Sequence, residues 1–136
     1  SLAKRLDGSM LAIVDKRRSA PNKAQAMAVI GDVKDKTVVI QDDMIDTAGT
    51  LAEAVNAITE HGAREVHACC AHPVLSGPAV DRINASPINS VVCTDTIPLN
   101  ANAATCNKIK VLSISDLVGE AIIRSYTGDS VTSLFV

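Results

Sequence analysis

The sequence predicts an α/β fold: a mainly parallel, twisted sheet flanked by helices. Short β-branched runs alternate with stretches of helical spacing, and Gly, Pro, Asn and Asp separate them. Hydrophobic residues make up 47% of the 136, yet Tyr126 and Phe135 are the only aromatics, so Val, Ile, Leu, Ala and Met must fill the core. The whole chain, 1–136, reads as one domain without internal repeat, low-complexity segment or dividing linker.

Taken in order, the chain opens on Leu2 to Leu6, which reads as the tail of a helix. Strands are predicted at Leu11 to Asp15, Ala28 to Val33, Thr37 to Gln41, Glu65 to Ala71, Ser90 to Thr94 and Ile109 to Ser113. Leu51, Ala54, Val55 and Ile58 recur at i, i+3, i+4 and i+7, which defines a helix over Leu51 to His61 that Gly62 terminates. Gly77-Pro78 opens a shorter helix with proline at its first position. Ile114, Leu117, Val118, Ala121 and Ile122 repeat the helical spacing over Ser113 to Ser125. Such a sheet is expected to be covered on both faces.

Thirteen Lys and Arg against fifteen Asp and Glu give a net charge of −2. Neither a basic footprint for phosphate backbones nor an aromatic platform for bases is present, so no nucleic-acid partner is expected. The longest apolar runs, Met10 to Val14 and Ala26 to Ile30, are five residues each, far short of the ~18 that cross a bilayer. No membrane partner and no secretory signal are expected. Cys69, Cys70, Cys93 and Cys106 contain no CxxC pair, which fits a reducing, cytoplasmic setting.

Chemistry concentrates in Thr37 to Thr50, TVVIQDDMIDTAGT, a strand that ends in carboxylates and leads through a short loop into the Leu51 helix. Ligands of such sheets sit at the carboxyl ends of strands. Asp46-Thr47-Ala48-Gly49-Thr50 supplies small residues whose backbone N–H groups, at a helix start, can surround a phosphate. Thr50 and Glu53 also have the spacing of a capping box. Asp42, Asp43 and Asp46 would repel a phosphate, but they accept hydrogen bonds from sugar hydroxyls and help hold hydrated Mg²⁺. A phosphorylated sugar satisfies both halves of the pattern. Lys16, Arg17 and Arg18 follow the first strand and precede Ser19-Ala20-Pro21-Asn22, so they read as a cationic loop able to close over phosphates or as a solvated basic turn.

QDDMIDTAGT resembles the ribose-phosphate binding signature of the type I phosphoribosyltransferase fold. DKRR at Asp15 to Arg18, GAREVHACCAHPVLSGPA at Gly62 to Ala79, TDTIPL at Thr94 to Leu99 and VTSLF at Val131 to Phe135 are similar to the ribose-phosphate pyrophosphokinase family. Gln41 departs from it, where an apolar or acidic residue is more usual. The resemblance implies the C-terminal half of a two-domain enzyme of nucleotide biosynthesis. That enzyme transfers the β,γ-pyrophosphoryl group of ATP to the 1-hydroxyl of ribose 5-phosphate, with Mg²⁺ as cofactor. It implies ribose 5-phosphate on Asp42, Asp43, Asp46, Thr47, Ala48, Gly49 and Thr50, and Lys16 and Arg18 as catalytic residues of a flap that reaches the ATP phosphates. It also implies a homo-oligomer, commonly a hexamer. Most ATP contacts and a magnesium-binding His and Asp of that family lie in the other half, so 1–136 alone is expected to be inactive, and its metal ligands are unknown.

Two other functions compete: a phosphoribosyltransferase, disfavoured by the DKRR and HPVLSGPA segments, and a non-catalytic regulatory or assembly subunit. Three further features read as structural. His67, Cys69, Cys70 and His72 alternate across a strand, so buried packing is favoured over a metal site. His61 sits at a helix end, where it complements the dipole. Ser76-Gly77-Pro78 is read as a strand-to-helix turn rather than a second anion site. The hydroxyls of Ser130, Thr132 and Ser133 fall where the resembled family builds part of a regulatory phosphate and ADP site.

Overall fold

The β-branched runs form two separate sheets in a computed structural model that describes residues 8–17 and 26–135. Strands β1 (Ile13–Arg17) and β2 (Ala26–Ile30) come first, then β3 (Thr37–Ile45), helix α1 (Gly49–Glu60), β4 (Glu65–Pro73) and α2 (Ala79–Ala85). Strand β5 (Ser90–Thr94), α3 (Ala101–Ala104), β6 (Ile109–Leu112), α4 (Ser115–Thr127) and a 3-10 turn at Thr132–Leu134 complete the order. The main sheet is parallel throughout, β3-β4-β5-β6, with Val38 opposite Val66, Ala68 opposite Val91 and Cys93 opposite Val111.

The first two strands do not join that sheet. They pair antiparallel with each other, Ile13 opposite Ile30 and Arg17 opposite Ala26. Residues 18–25 link them, fewer than the dozen or so that a parallel crossover needs. Strand β3 outruns the predicted Gln41 by continuing to Ile45, because Met44 and Ile45 stay in register with His72 and Pro73. Its Asp42 and Asp43, residues that strands disfavour, hide that continuation.

Each parallel strand of the main sheet lies next to the one that follows it. Right-handed crossovers that always step in one direction bring α1, α2 and α3 to the same face. There Val66, Ala68, Cys70, Val91 and Cys93 are buried in one cluster with Val55, Ile58, Ala79, Ile83 and Ala103. Their strand neighbours His67, Cys69, Ala71 and Val92 are only half-buried, and Val39 is exposed. The expected cover on both faces is therefore present on one among the described residues. Helix α4 has no buried residue, and Leu117, Val118, Ile122 and Ile123 on it are exposed. No helix of the described residues is long and apolar enough to cross a membrane.

Gly62 ends α1 as predicted, in the left-handed conformation at φ 88°. Its carbonyl accepts from the N–H of Asp35 at 2.8 Å, which fastens the end of α1 to the approach to β3.

Candidate functional site

The carboxyl end of β3 turns into α1 through Asp46, Thr47 and Ala48. Ala48 precedes the helix in the left-handed conformation, φ 55° and ψ 16°, and is buried. A left-handed residue beside a helical one makes a concave row of N–H groups, the geometry that receives anions. The first helical bond of α1 runs from Ala52 N–H to Ala48 O at 3.0 Å, so the N–H groups of Gly49, Thr50 and Leu51 precede it. Ala48, the N-cap of α1, makes no side-chain capping bond. The sequence places the N-cap of a capping box at Thr50, whereas α1 starts at Gly49 with Ala48 as its N-cap, so Thr50 lies inside the helix.

The residues of these N–H groups border a cleft of about 240 Å³ lined by Asp42, Met44, Ile45 and the run Asp46 to Leu51. The volume suits a ligand smaller than the drug-sized molecules that fill ~300–1,000 Å³ sites. Asp42, Asp46, Thr47, Ala48, Gly49 and Thr50 thus share one cavity, while Asp43 does not line it. Asp42 has the strand parity of Val38 and Ile40, which pack against the core, and Asp43 the opposite parity. The N–H of Asp43 donates to Asp42 Oδ1 at 2.9 Å, which orients the inward carboxylate.

A second segment braces the loop from outside, and local sequence gave no sign of it. The N–H groups of Leu75 and Ser76 donate to the carbonyls of Ile45 and Asp46 at 3.0 and 3.1 Å. The Ser76 hydroxyl donates to Asp46 Oδ1. From α2, Arg82 Nη1 donates to the Thr47 carbonyl at 2.8 Å. Ser76-Gly77-Pro78 accordingly serves as a turn. Pro78 is the N-cap of α2 rather than its first residue, and that helix is only seven residues long.

The cationic segment divides. Lys16 and Arg17 belong to β1, opposite Met27 and Ala26, rather than to a loop after it, and Arg18 lies outside the described residues. The His/Cys run is structural: His67 Nδ1 meets Ser90 Oγ at 2.8 Å, and His72 Nδ1 meets Thr96 Oγ1 at 3.0 Å. Burial, with the neighbouring Cys93 thiol, pushes the Cys70 thiol up to about 11. Among the described residues no group of three or more His, Cys, Asp or Glu side chains is placed to hold a metal ion. His61 meets the Ala57 carbonyl through Nδ1 at 2.7 Å, as expected of a helix-end residue. In the tail, Arg124 donates to the Ser130 carbonyl and to the Ser133 hydroxyl, tying the 3-10 turn to α4.

A four-stranded parallel sheet with helices packed on it and a left-handed approach to α1 at its carboxyl edge places the chain in the α/β class. More narrowly, the chain belongs to the phosphoribosyl synthetase-associated domain family, which it matches over residues 5–136. It is 54% identical over 136 residues to a ribose-phosphate pyrophosphokinase of Xanthomonas campestris pv. campestris, covering 100% of this chain and 43% of that protein. It is 52% identical to the ribose-phosphate pyrophosphokinase of Coxiella burnetii, with the same coverage. Its fold matches the crystal structure of phosphoribosylpyrophosphate synthetase from Mycobacterium smegmatis with a TM-score of 0.83 at 37% identity. That match covers 93% of this chain and 40% of the other. The chain therefore spans less than half the length of these relatives.

Proposed function

We propose that the cleft at the start of α1 holds ribose 5-phosphate for a ribose-phosphate pyrophosphokinase, and that the chain corresponds to the C-terminal half of such an enzyme. One observation carries the reading: Gly49, Thr50 and Leu51, whose N–H groups precede the first helical bond of α1, line the same cavity as Asp42 and Asp46. The 5-phosphate sits on those donors, where the helix dipole favours its charge. The sugar hydroxyls donate to the Asp42 and Asp46 carboxylates, which hold the 1-hydroxyl toward ATP. Asp43, on the opposite side of the strand, reaches the sugar only from the edge of the site.

In this reading the 1-hydroxyl oxygen attacks the β-phosphorus of ATP and AMP leaves. Positioning and charge stabilisation supply most of the catalysis of such transfers. Lys16 and Arg18 are the residues assigned to that charge, because guanidinium and ammonium groups answer developing phosphate oxyanions. Mg²⁺ binds typically through one or two carboxylates, substrate phosphates and water, so Asp42 suits an ion delivered with ATP. The remaining ATP contacts come from outside residues 1–136. The exposed apolar residues of α4 suit assembly with further copies of the chain, and four free cysteines suit a cytoplasmic location.

Isothermal titration of the 136-residue chain with ribose 5-phosphate, and with phosphoribosyl pyrophosphate plus Mg²⁺, tests the assignment. Binding that Asp46→Ala abolishes is the expected result. A folded chain that binds neither ligand means that the site needs the other half of the enzyme or that the chain serves as a non-catalytic subunit.

A further inference from the structure

We propose that Arg82 is a positioning residue for the phosphate-binding turn, a role that rests on the reading of the cleft given above. Its Nη1 donates to the Thr47 carbonyl at 2.8 Å. A Cβ built on Gly49 would stand 3.3 Å from the same nitrogen, so the guanidinium lies directly against the turn. Yet Arg82 does not line the cleft. It holds the turn from behind.

The consequence follows from peptide geometry. Among the described residues every peptide bond is trans, and a trans peptide points its C=O and the next N–H in opposite directions. A Thr47 carbonyl drawn outward to Arg82 therefore turns the Ala48 N–H toward the cavity. Ala48 holds φ 55°, a left-handed conformation that an L-residue with a Cβ enters at a cost. An unheld Thr47-Ala48 peptide would relax by rotating, and a carbonyl oxygen would then face the anion. Arginine suits the task because its charge is permanent and its planar fork keeps a fixed donor direction.

The reach of Arg82 is itself set by the β4-α2 turn. Leu75, buried and left-handed at φ 47°, and Ser76 hydrogen-bond to Ile45 and Asp46, so the start of α2 is pinned to the end of β3. Loop and brace form one unit in which the distal cation decides how the anion-binding amides point.

The test compares the wild-type chain with Arg82→Met and Arg82→Lys. It uses amide hydrogen exchange at Ala48 and Gly49 without ligand, calorimetric affinity for ribose 5-phosphate and for inorganic phosphate, and melting temperature. Arg82→Met is expected to speed exchange at both amides. It should also weaken both ligands by about tenfold, the loss of one charge-assisted hydrogen bond, with the melting temperature held. Arg82→Lys should recover part of the affinity. Exchange and affinity equal to wild type in Arg82→Met, or an affinity loss that merely follows a fall in melting temperature, overturns the role. If the wild type binds neither ligand while the two amides still loosen in Arg82→Met, the positioning role stands and the ribose 5-phosphate assignment falls. If neither binding nor loosening is seen, both fall.

Discussion

Ser76 grips Asp46 twice: its N–H donates to the Asp46 carbonyl at 3.1 Å, and its hydroxyl donates to the Asp46 carboxylate. One residue of the β4-α2 turn thus fixes both the backbone and the side chain of the acid that opens the β3-α1 loop. If that acid accepts from a sugar hydroxyl, losing its orienting donor weakens binding without removing the acceptor. Ser76→Ala should lower the affinity for ribose 5-phosphate about fivefold, the equivalent of one ordinary hydrogen bond, while Asp46→Ala abolishes it. Titration calorimetry reads both. Equal affinity in Ser76→Ala and wild type would separate Asp46 orientation from sugar binding.

Cys70 and Cys93 stand side by side in register on β4 and β5, both buried under the helices. The thiolate is the reactive form, and burial raises both thiols above their ordinary value of 9.0. A thiol reagent at pH 8 should leave Cys70 and Cys93 unmodified in the native chain and label all four cysteines in denaturant. The linkage sign agrees. With the folded Cys70 value raised to about 11, its contribution to stability is whole below pH 9.0 and is lost as pH climbs through about 11. Mass spectrometry showing Cys70 labelled at the denatured rate would contradict the packing of the helices on that face.

Asp95 closes the end of β5 onto the start of α4. The Ser113 hydroxyl, first, and then the Ile114 N–H hold its carboxyl below the usual 3.8, and the Ile114 bond measures 2.9 Å. A carboxylate whose folded pKa is depressed supports the fold above its unfolded value, and that support is lost as pH falls through the lower folded value. Acid below about pH 4 should therefore loosen α4 first, because the helix has no buried residue to hold it otherwise. Hydrogen exchange along α4 against pH checks this. Asp95→Asn should show the loosened state already at neutral pH, and an unchanged α4 in that variant would show that Asp95 does not anchor it.

The two parts of the candidate site, the β3-α1 loop and its brace, differ in how visible they are from sequence. Asp42 and Asp46 to Thr50 are legible because strand, loop and helix follow one another along the chain, so the local pattern already contains the geometry. Ser76 and Arg82 lie 30 and 35 residues from their partners, and nothing in their own neighbourhood marks them. Strand β5 is legible to the residue, Ser90–Thr94, since a buried central strand has clear β-branched spacing. Asp43 shows the limit of type without direction: its carboxyl is the same as that of Asp42, and only the strand's alternation separates them. Helix α3 is four residues, too short for periodicity. It depends on Asn100, whose side chain accepts from Ala103 N–H at 2.9 Å and donates to the Leu75 carbonyl at 3.0 Å.

Lys108, just ahead of β6, donates through Nζ to the carbonyls of Ile83, Asn84 and Ser86 at 3.2, 3.1 and 2.8 Å. These belong to the last turn of α2 and its C-cap, where a helix leaves carbonyls without intrahelical partners and where a cation complements the dipole. The same residue's carbonyl accepts from Val91 N–H at 2.8 Å, so one side chain and one backbone group join α2, β5 and the approach to β6. Lys108→Met keeps the apolar stem and removes only the charged donor. It should cost about 1–2 kcal/mol, towards the lower end of charged hydrogen bonds because the site is partly solvated. Lys108→Arg should restore only part of that, since a planar fork cannot converge on three carbonyls as an ammonium does. Urea unfolding gives the difference as a shift in midpoint at constant slope. A midpoint unchanged in Lys108→Met would mean that water satisfies the end of α2 as well as Lys108 does.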